Sequence, residues 1–183
     1  MNKLYLKLAW SNLKNSRQFY LPYVIAGMLS AMMFYTMCAI QGNEGLSKMR
    51  GGASVQMVLF FGVIVVGVFV SIFLFYTNSF IMKRRKKELG IYNILGMEKR
   101  HIAVMMFFEN VFVFITVFVS GMILGMVFSK LMFLILMKMI AVSSVPKFQM
   151  EMTSVFMTGG YFLAIYFVTF LYNLCKIHLS NPV

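Results

Sequence analysis

Glu109 is the residue whose type and position could do chemistry within a membrane. It lies inside the apolar run from Ile102 to Ser129, where an ionisable side chain is by default a functional candidate, for example in ion or proton coupling. Glu109 also lies only eight residues after His101, about 12 Å along a helix from the polar boundary of that run. Negative charge is favoured near a helix N-terminus. We therefore interpret this intramembrane acid as structural first, with ion or proton coupling as the alternative.

The other residue types that support catalysis or metal binding are scattered along the chain. His101 and His178 lie at the edges of apolar runs and lack a clustered Cys, Asp or Glu partner, so no metal site is predicted. The phosphate-binding pattern G-x-x-x-x-G-K-[ST] does not occur in the sequence. We predict that the chain is not an enzyme, binds no cofactor and cannot hydrolyse ATP alone.

The composition places these residues in an integral membrane protein. Of the 183 residues, 61% are apolar and only 12% are charged, about half the charged fraction of an ordinary soluble domain. The apolar runs are long and continuous, which favours helices over the alternating strands of a membrane barrel. We predict an all-α bundle with four membrane helices, at about 20–40, 55–82, 102–129 and 153–174.

Three local features refine this bundle. Residues 1–19 predict an amphipathic helix on the membrane surface, ahead of the membrane-helix unit over 20–183. The second helix has 28 uncharged residues and should extend beyond the bilayer. Gly121 and Gly125 form a small-xxx-small pair in the third helix, which indicates close packing against another helix.

The charge distribution predicts the orientation of the bundle. The formal net charge is +12, and twelve of the seventeen Lys and Arg residues lie in 1–19, 83–101 and 175–183. Cytoplasmic loops carry the excess of cations, so both termini and the coupling segment, residues 83–101, should be cytoplasmic. No basic stretch stands clear of the membrane spans, so nucleic acid is not an expected partner, whereas anionic lipid is.

The coupling segment contains more bulky apolar residues than a topogenic loop needs. We predict a short helix over 88–97, with Leu89, Tyr92 and Leu95 on one face. An exposed apolar face of this kind is typical of a helix that inserts into a groove on a partner protein. The alternative is that it lies on the inner leaflet of the membrane.

The run from Phe75 to Met97, FYTNSFIMKRRKKELGIYNILGM, strongly resembles the second-helix exit and coupling segment of FtsX-like permeases. More narrowly, it resembles the bacitracin-type (Bce-type) antimicrobial peptide transporter permeases of Gram-positive bacteria. The segments Lys7–Lys14 and Asn181–Val183 are similar to the borders of that family's first unit.

This resemblance implies a function that composition does not. Members are membrane subunits of type VII ABC transporters, and a separate cytoplasmic ATPase docks between the second and third helices. The docking residues implied here are Glu88, Leu89, Gly90, Ile91, Tyr92 and Leu95. Further partners implied are the lipid bilayer of a Gram-positive-type plasma membrane, the remaining half of the permease and a sensor histidine kinase.

The chain also departs from the family pattern, because complete Bce-type permeases have ten membrane helices and a large extracellular domain. Four predicted helices match only an N-terminal unit, so the chain is expected to be a fragment or one part of a split permease. The alternatives are another FtsX-like permease, for lipoprotein release or cell-division signalling, or a small membrane regulator of a histidine kinase.

Overall fold

The protein is described by a computed structural model that covers residues 17–43, 51–94, 96–139 and 152–178. The regular elements in these ranges are α-helices: α1 (Arg17–Gln41), α2 (Gly52–Ile94), α3 (Lys99–Met139) and α4 (Met152–His178). All four are long and apolar enough to cross a membrane, which confirms the predicted all-helical bundle. The predicted amphipathic helix over 1–19 lies outside the described residues, except for its last three residues, which begin α1.

The second helix is longer than its membrane span requires. α2 contains 43 residues, or about 64 Å at 1.5 Å per residue, against a hydrocarbon core of about 30 Å. Its apolar part runs from Gly52 to Arg85, and the helix then continues to Ile94. The predicted short helix over 88–97 is therefore not a separate element, since its first residues form the last turns of α2.

Glycines with positive φ lie just outside both ends of α2. Gly51 has φ 83° and Gly96 has φ 87°, a left-handed conformation that glycine adopts without the steric cost of a Cβ. At Gly96 the chain turns away from the axis of α2, and α3 begins three residues later at Lys99. We call the end of the bundle where α2 ends and α3 begins the turn end.

The first helix is the centre of the bundle. In its most apolar stretch 56% of the residues are buried, against 22% for α2, and its largest contact is with α3. Large apolar side chains of α2 and α4 point outward, among them Phe60, Phe69 and Phe156. Apolar exposure on this scale suits a lipid environment, where it carries no hydrophobic cost.

Candidate functional site

An ion pair is buried near the turn end of the bundle. Arg85 of α2 and Glu109 of α3 are each only 2% exposed. Arg85 Nη2 donates to Glu109 Oε1 at 3.0 Å, and Arg85 Nη1 donates to Glu109 Oε2. Two near-parallel bonds from one guanidinium to one carboxylate are among the strongest polar contacts in proteins. The only acid predicted within a span is thus neutralised by a cation from the preceding helix.

A tyrosine from α1 completes this contact. The Tyr20 hydroxyl donates to Glu109 Oε2 at 3.2 Å and accepts a hydrogen bond from Arg85 Nη1. The Arg85 guanidinium also lies over the Tyr20 ring, 5.3 Å from its centroid. Three helices therefore meet at one level, and we call Tyr20, Arg85 and Glu109 the ionic clamp.

A second carboxylate, that of Glu88, lies beside Arg85 on the same helix. Arg85 Nε lies 3.6 Å from Glu88 Oε2, one helical turn closer to the turn end, and the Glu88 side chain is 42% exposed. That separation is too long for a hydrogen bond, and Arg85 Nε has no hydrogen-bond acceptor among the described residues. Arg85 therefore has one carboxylate inside the bundle and a second at its surface.

A second polar contact joins α2 to α4. The side-chain amides of Asn78 and Asn173 donate to each other reciprocally, at 3.1 and 3.2 Å, and both residues are buried. Asn78 lies seven residues before Arg85, two turns away on the same helix face. A cavity of about 30 Å³ lies between the amide pair and the clamp, and a polar space of this size can hold one water molecule.

The burial of Arg85 corrects the sequence interpretation. Residues 83–87 were expected to lie together at the membrane edge against anionic lipid. Lys83 and Arg84 are exposed, but Arg85 turns into the bundle, because successive side chains on a helix point about 100° apart and one of three must face inward. The sequence did hold a signal for the pair, since Arg85 and Glu109 each lie twelve residues from Met97, beside the turn.

Five of the six predicted docking residues, Glu88 to Tyr92, lie on the last turns of α2. Gly90 and Ile91 are exposed, with Ile91 at 57%, and nothing lies within 4 Å of a Cβ built on Gly90. Glu88 is partly buried. Leu89 and Tyr92 belong to the helix but their side chains lie outside the described part, and Leu95 lies outside the described residues altogether.

The two glycines singled out in the third helix face α1. A Cβ built on Gly121 would lie 2.6 Å from the Cβ of Ala31, and one built on Gly125 would lie 2.8 Å from Tyr35 Cδ1. Neither glycine is near the clamp in sequence, and both lie further along α3, away from the turn end.

Comparison with known proteins agrees with this architecture. A model of the family described as FtsX-like permease C-terminal matches residues 57–182. The chain is 30% identical over 164 residues to the bacitracin export permease protein BceB of Bacillus subtilis, a match that covers 87% of this chain and 25% of that protein. It is 27% identical over 173 residues to the bacitracin export permease protein BceB of Halalkalibacterium halodurans, covering 94% of this chain and 26% of that protein.

A third relative is the uncharacterized ABC transporter permease YvcS of Bacillus subtilis, 25% identical over 172 residues, with 93% of this chain and 27% of that protein covered. The chain thus spans about a quarter of the length of these curated relatives. The family match extends over more than half of the chain and agrees with the resemblance of the Phe75–Met97 run. The chain belongs to the FtsX-like family of ABC transporter permeases and has bacitracin-type permeases among its relatives.

Proposed function

We propose that this chain is a membrane part of a type VII ABC transporter for antimicrobial peptide resistance or sensing. In this role it couples a separate ATPase to action at the outer membrane face. The observation that carries the proposal is the continuity of α2, which runs unbroken from the far end of the bundle, through the apolar span and past the exposed Ile91, to its end at Ile94. A movement applied to that end reaches the membrane span without crossing a loop.

The exposed end of α2 has the character of a docking surface. Ile91 is an exposed apolar side chain beyond Arg85, where the apolar span ends. Beside it, Gly90 leaves room for close approach of a partner backbone. A short helical end with these features suits a groove on a partner protein. We place this end, with both termini, in the cytoplasm on the distribution of cations.

The peptide class and the further partners rest on the relatives. Two of them are named as bacitracin export permeases, which supports a peptide antibiotic as the compound resisted. The family resemblance supports the remainder of a permease and a sensor histidine kinase as additional partners in the plasma membrane of a Gram-positive-type bacterium.

Capture of the ATPase tests this function. The chain is purified in detergent from cells that also produce the ABC ATPase subunit of a bacitracin-type transporter, and the Kd of the complex is measured. Buried interface anchors carry about 2 kcal/mol or more, roughly thirtyfold in affinity. Ile91→Asp and Tyr92→Ala should therefore weaken capture strongly, whereas Lys86→Ala should leave it near the original value.

Two results would count against the proposal. If no ATPase is captured by the unaltered chain, the coupling function is wrong. If Ile91→Asp and Tyr92→Ala both bind as the unaltered chain does, the ATPase docks elsewhere.

A further inference from the structure

The ionic clamp lies at the boundary between the membrane span and the coupling segment. Arg85 is the last residue of the apolar part of α2, and the exposed end of the helix begins directly after it. We propose that Arg85 is a positioning residue that transmits movement of this exposed end to α1 and α3. The inference rests on the proposed function, because it assumes that an ATPase moves the end of α2.

α2 and α3 have little direct packing, whereas α2 packs more extensively on α1. α2 and α3 are consecutive in the chain, yet they form the sparsest contact of any pair among the four described helices. Most side chains of both helices face outward, and each of the two helices packs mainly against α1 or α4. The Arg85–Glu109 pair is thus a direct polar link between two helices that also meet beside it in a small apolar cluster of Met82 with Ile102, Met105 and Met106.

The chemistry of the clamp makes that link stiff. Arg85 uses the planar fork of its guanidinium, with two bonds to Glu109 and one to Tyr20. Both charged groups are buried, and separating them would leave each charge without its counter-ion in a low-dielectric environment. A displacement of α2 at this level therefore carries α1 and α3 with it rather than breaking the contact.

Glu88 places a second carboxylate beside the same guanidinium, one turn further along α2. Its Oε2 lies 3.6 Å from Arg85 Nε and 42% of its side chain is exposed, so a docked partner can reach it. Arg85 thus lies between Glu109 inside the bundle and Glu88 toward the end of its own helix. A partner that contacts Glu88 therefore comes within one helical turn of the clamp.

The Asn78–Asn173 pair provides the matched control. It is also a buried side-chain contact between two helices, it involves α2, and it lies two turns from Arg85. It joins α4 rather than α3 and has no contact with Glu88. Its loss should therefore loosen the bundle without interrupting the connection between the coupling segment, α1 and α3.

The experiment uses the complete transporter complex in lipid nanodiscs and measures two quantities for each variant. One is the Kd for the ATPase, and the other is the rate of ATP hydrolysis by the bound ATPase in response to the peptide antibiotic. The variants are Arg85→Lys, Glu109→Gln, the reciprocal exchange Arg85→Glu with Glu109→Arg, and the control Asn173→Leu. Thermal unfolding of each complex reports how far the bundle itself is weakened.

We expect Arg85→Lys and Glu109→Gln to leave the Kd for the ATPase unchanged. Each variant should lower the peptide-dependent rate of ATP hydrolysis at least about fivefold, a usual size for coupling between two sites. The reciprocal exchange should recover part of this loss. Asn173→Leu should lower the unfolding temperature but keep the response.

Each other outcome has a distinct meaning. If the unaltered chain fails to bind the ATPase, the proposed function fails. If the ATPase binds and both single variants respond to peptide as the unaltered complex does, the role of Arg85 is overturned. If Asn173→Leu loses the response as fully as the clamp variants at a similar unfolding temperature, the clamp serves packing alone and the inference is likewise overturned.

Discussion

Replacing Gly121 by alanine should destabilise the bundle even though alanine is the better helix former. The added Cβ would lie 2.6 Å from the Cβ of Ala31 and 3.1 Å from the carbonyl oxygen of Met28, whereas carbon atoms in contact are normally about 3.5–4.0 Å apart. Neither neighbour can rotate away, because one is a Cβ and the other is backbone. α1 must therefore move by about 1 Å from α3, across the largest helix contact of the bundle.

The size of the effect follows from two opposing contributions. Overpacking a well-packed interior costs about 1–3 kcal/mol, and replacing glycine by alanine within a helix gains up to about 1 kcal/mol. Gly160 of α4 isolates the second contribution, because a Cβ built there meets nothing within 4 Å. The propensity gain cancels between Gly121→Ala and Gly160→Ala, so the free energies of unfolding of these two variants should differ by about 1–3 kcal/mol.

Thermal unfolding in detergent micelles, followed by circular dichroism, provides the measurement. For a chain of this size each kcal/mol shifts Tm by about 2–4 °C. Gly121→Ala should consequently unfold about 2–12 °C below Gly160→Ala. Equal Tm values for the two variants would refute the reasoning, because they would show that α1 and α3 tolerate the extra separation.

Three further expectations concern the clamp, the orientation and the thiols. Arg85→Met alone should cost about 3–5 kcal/mol of unfolding free energy because it leaves a buried carboxylate unpaired, whereas Arg85→Met combined with Glu109→Leu should recover most of that loss; a double variant as unstable as the single one would contradict this. In intact cells, a membrane-impermeant maleimide should fail to label Gly90→Cys in a background without other cysteines and should label it after the cells are opened, so labelling of intact cells would reverse the proposed orientation. In detergent, maleimide should modify the exposed Cys175 and spare the buried Cys38, as mass spectrometry of the peptides can show, and faster modification of Cys38 would disagree with the packing of α1.

The number and type of the helices could be predicted from the sequence because the signal is local. Long apolar runs admit only helices in a membrane, and each run became one helix. The separate helix predicted over 88–97 was wrong in its start, because α2 continues through Gly90 as far as Ile94, and the positive φ that marks the turn occurs at Gly96.

The clamp illustrates what local patterns leave open. Which of several adjacent cations faces inward depends on the rotation of α2 about its own axis, and this rotation is set by contacts with α1 and α3 rather than by neighbours in sequence. Nothing in the sequence indicated that Tyr20 contacts this pair, since a tyrosine at the edge of an apolar run is typical of a membrane interface. Only the equal distances of Arg85 and Glu109 from the turn pointed to their pairing.

The uninterrupted length of α2 has a geometrical consequence for any motion of the protein. A continuous helix of 43 residues without an internal proline forms a rod of about 64 Å, and tilting it by about 10° displaces one end by about 11 Å relative to the other. Such a rod changes its angle at its ends rather than in its middle. Gly51 and Gly96 lie at those ends, so they govern how far the helix can tilt. The length of the helix fixes how far one end moves for each degree of tilt.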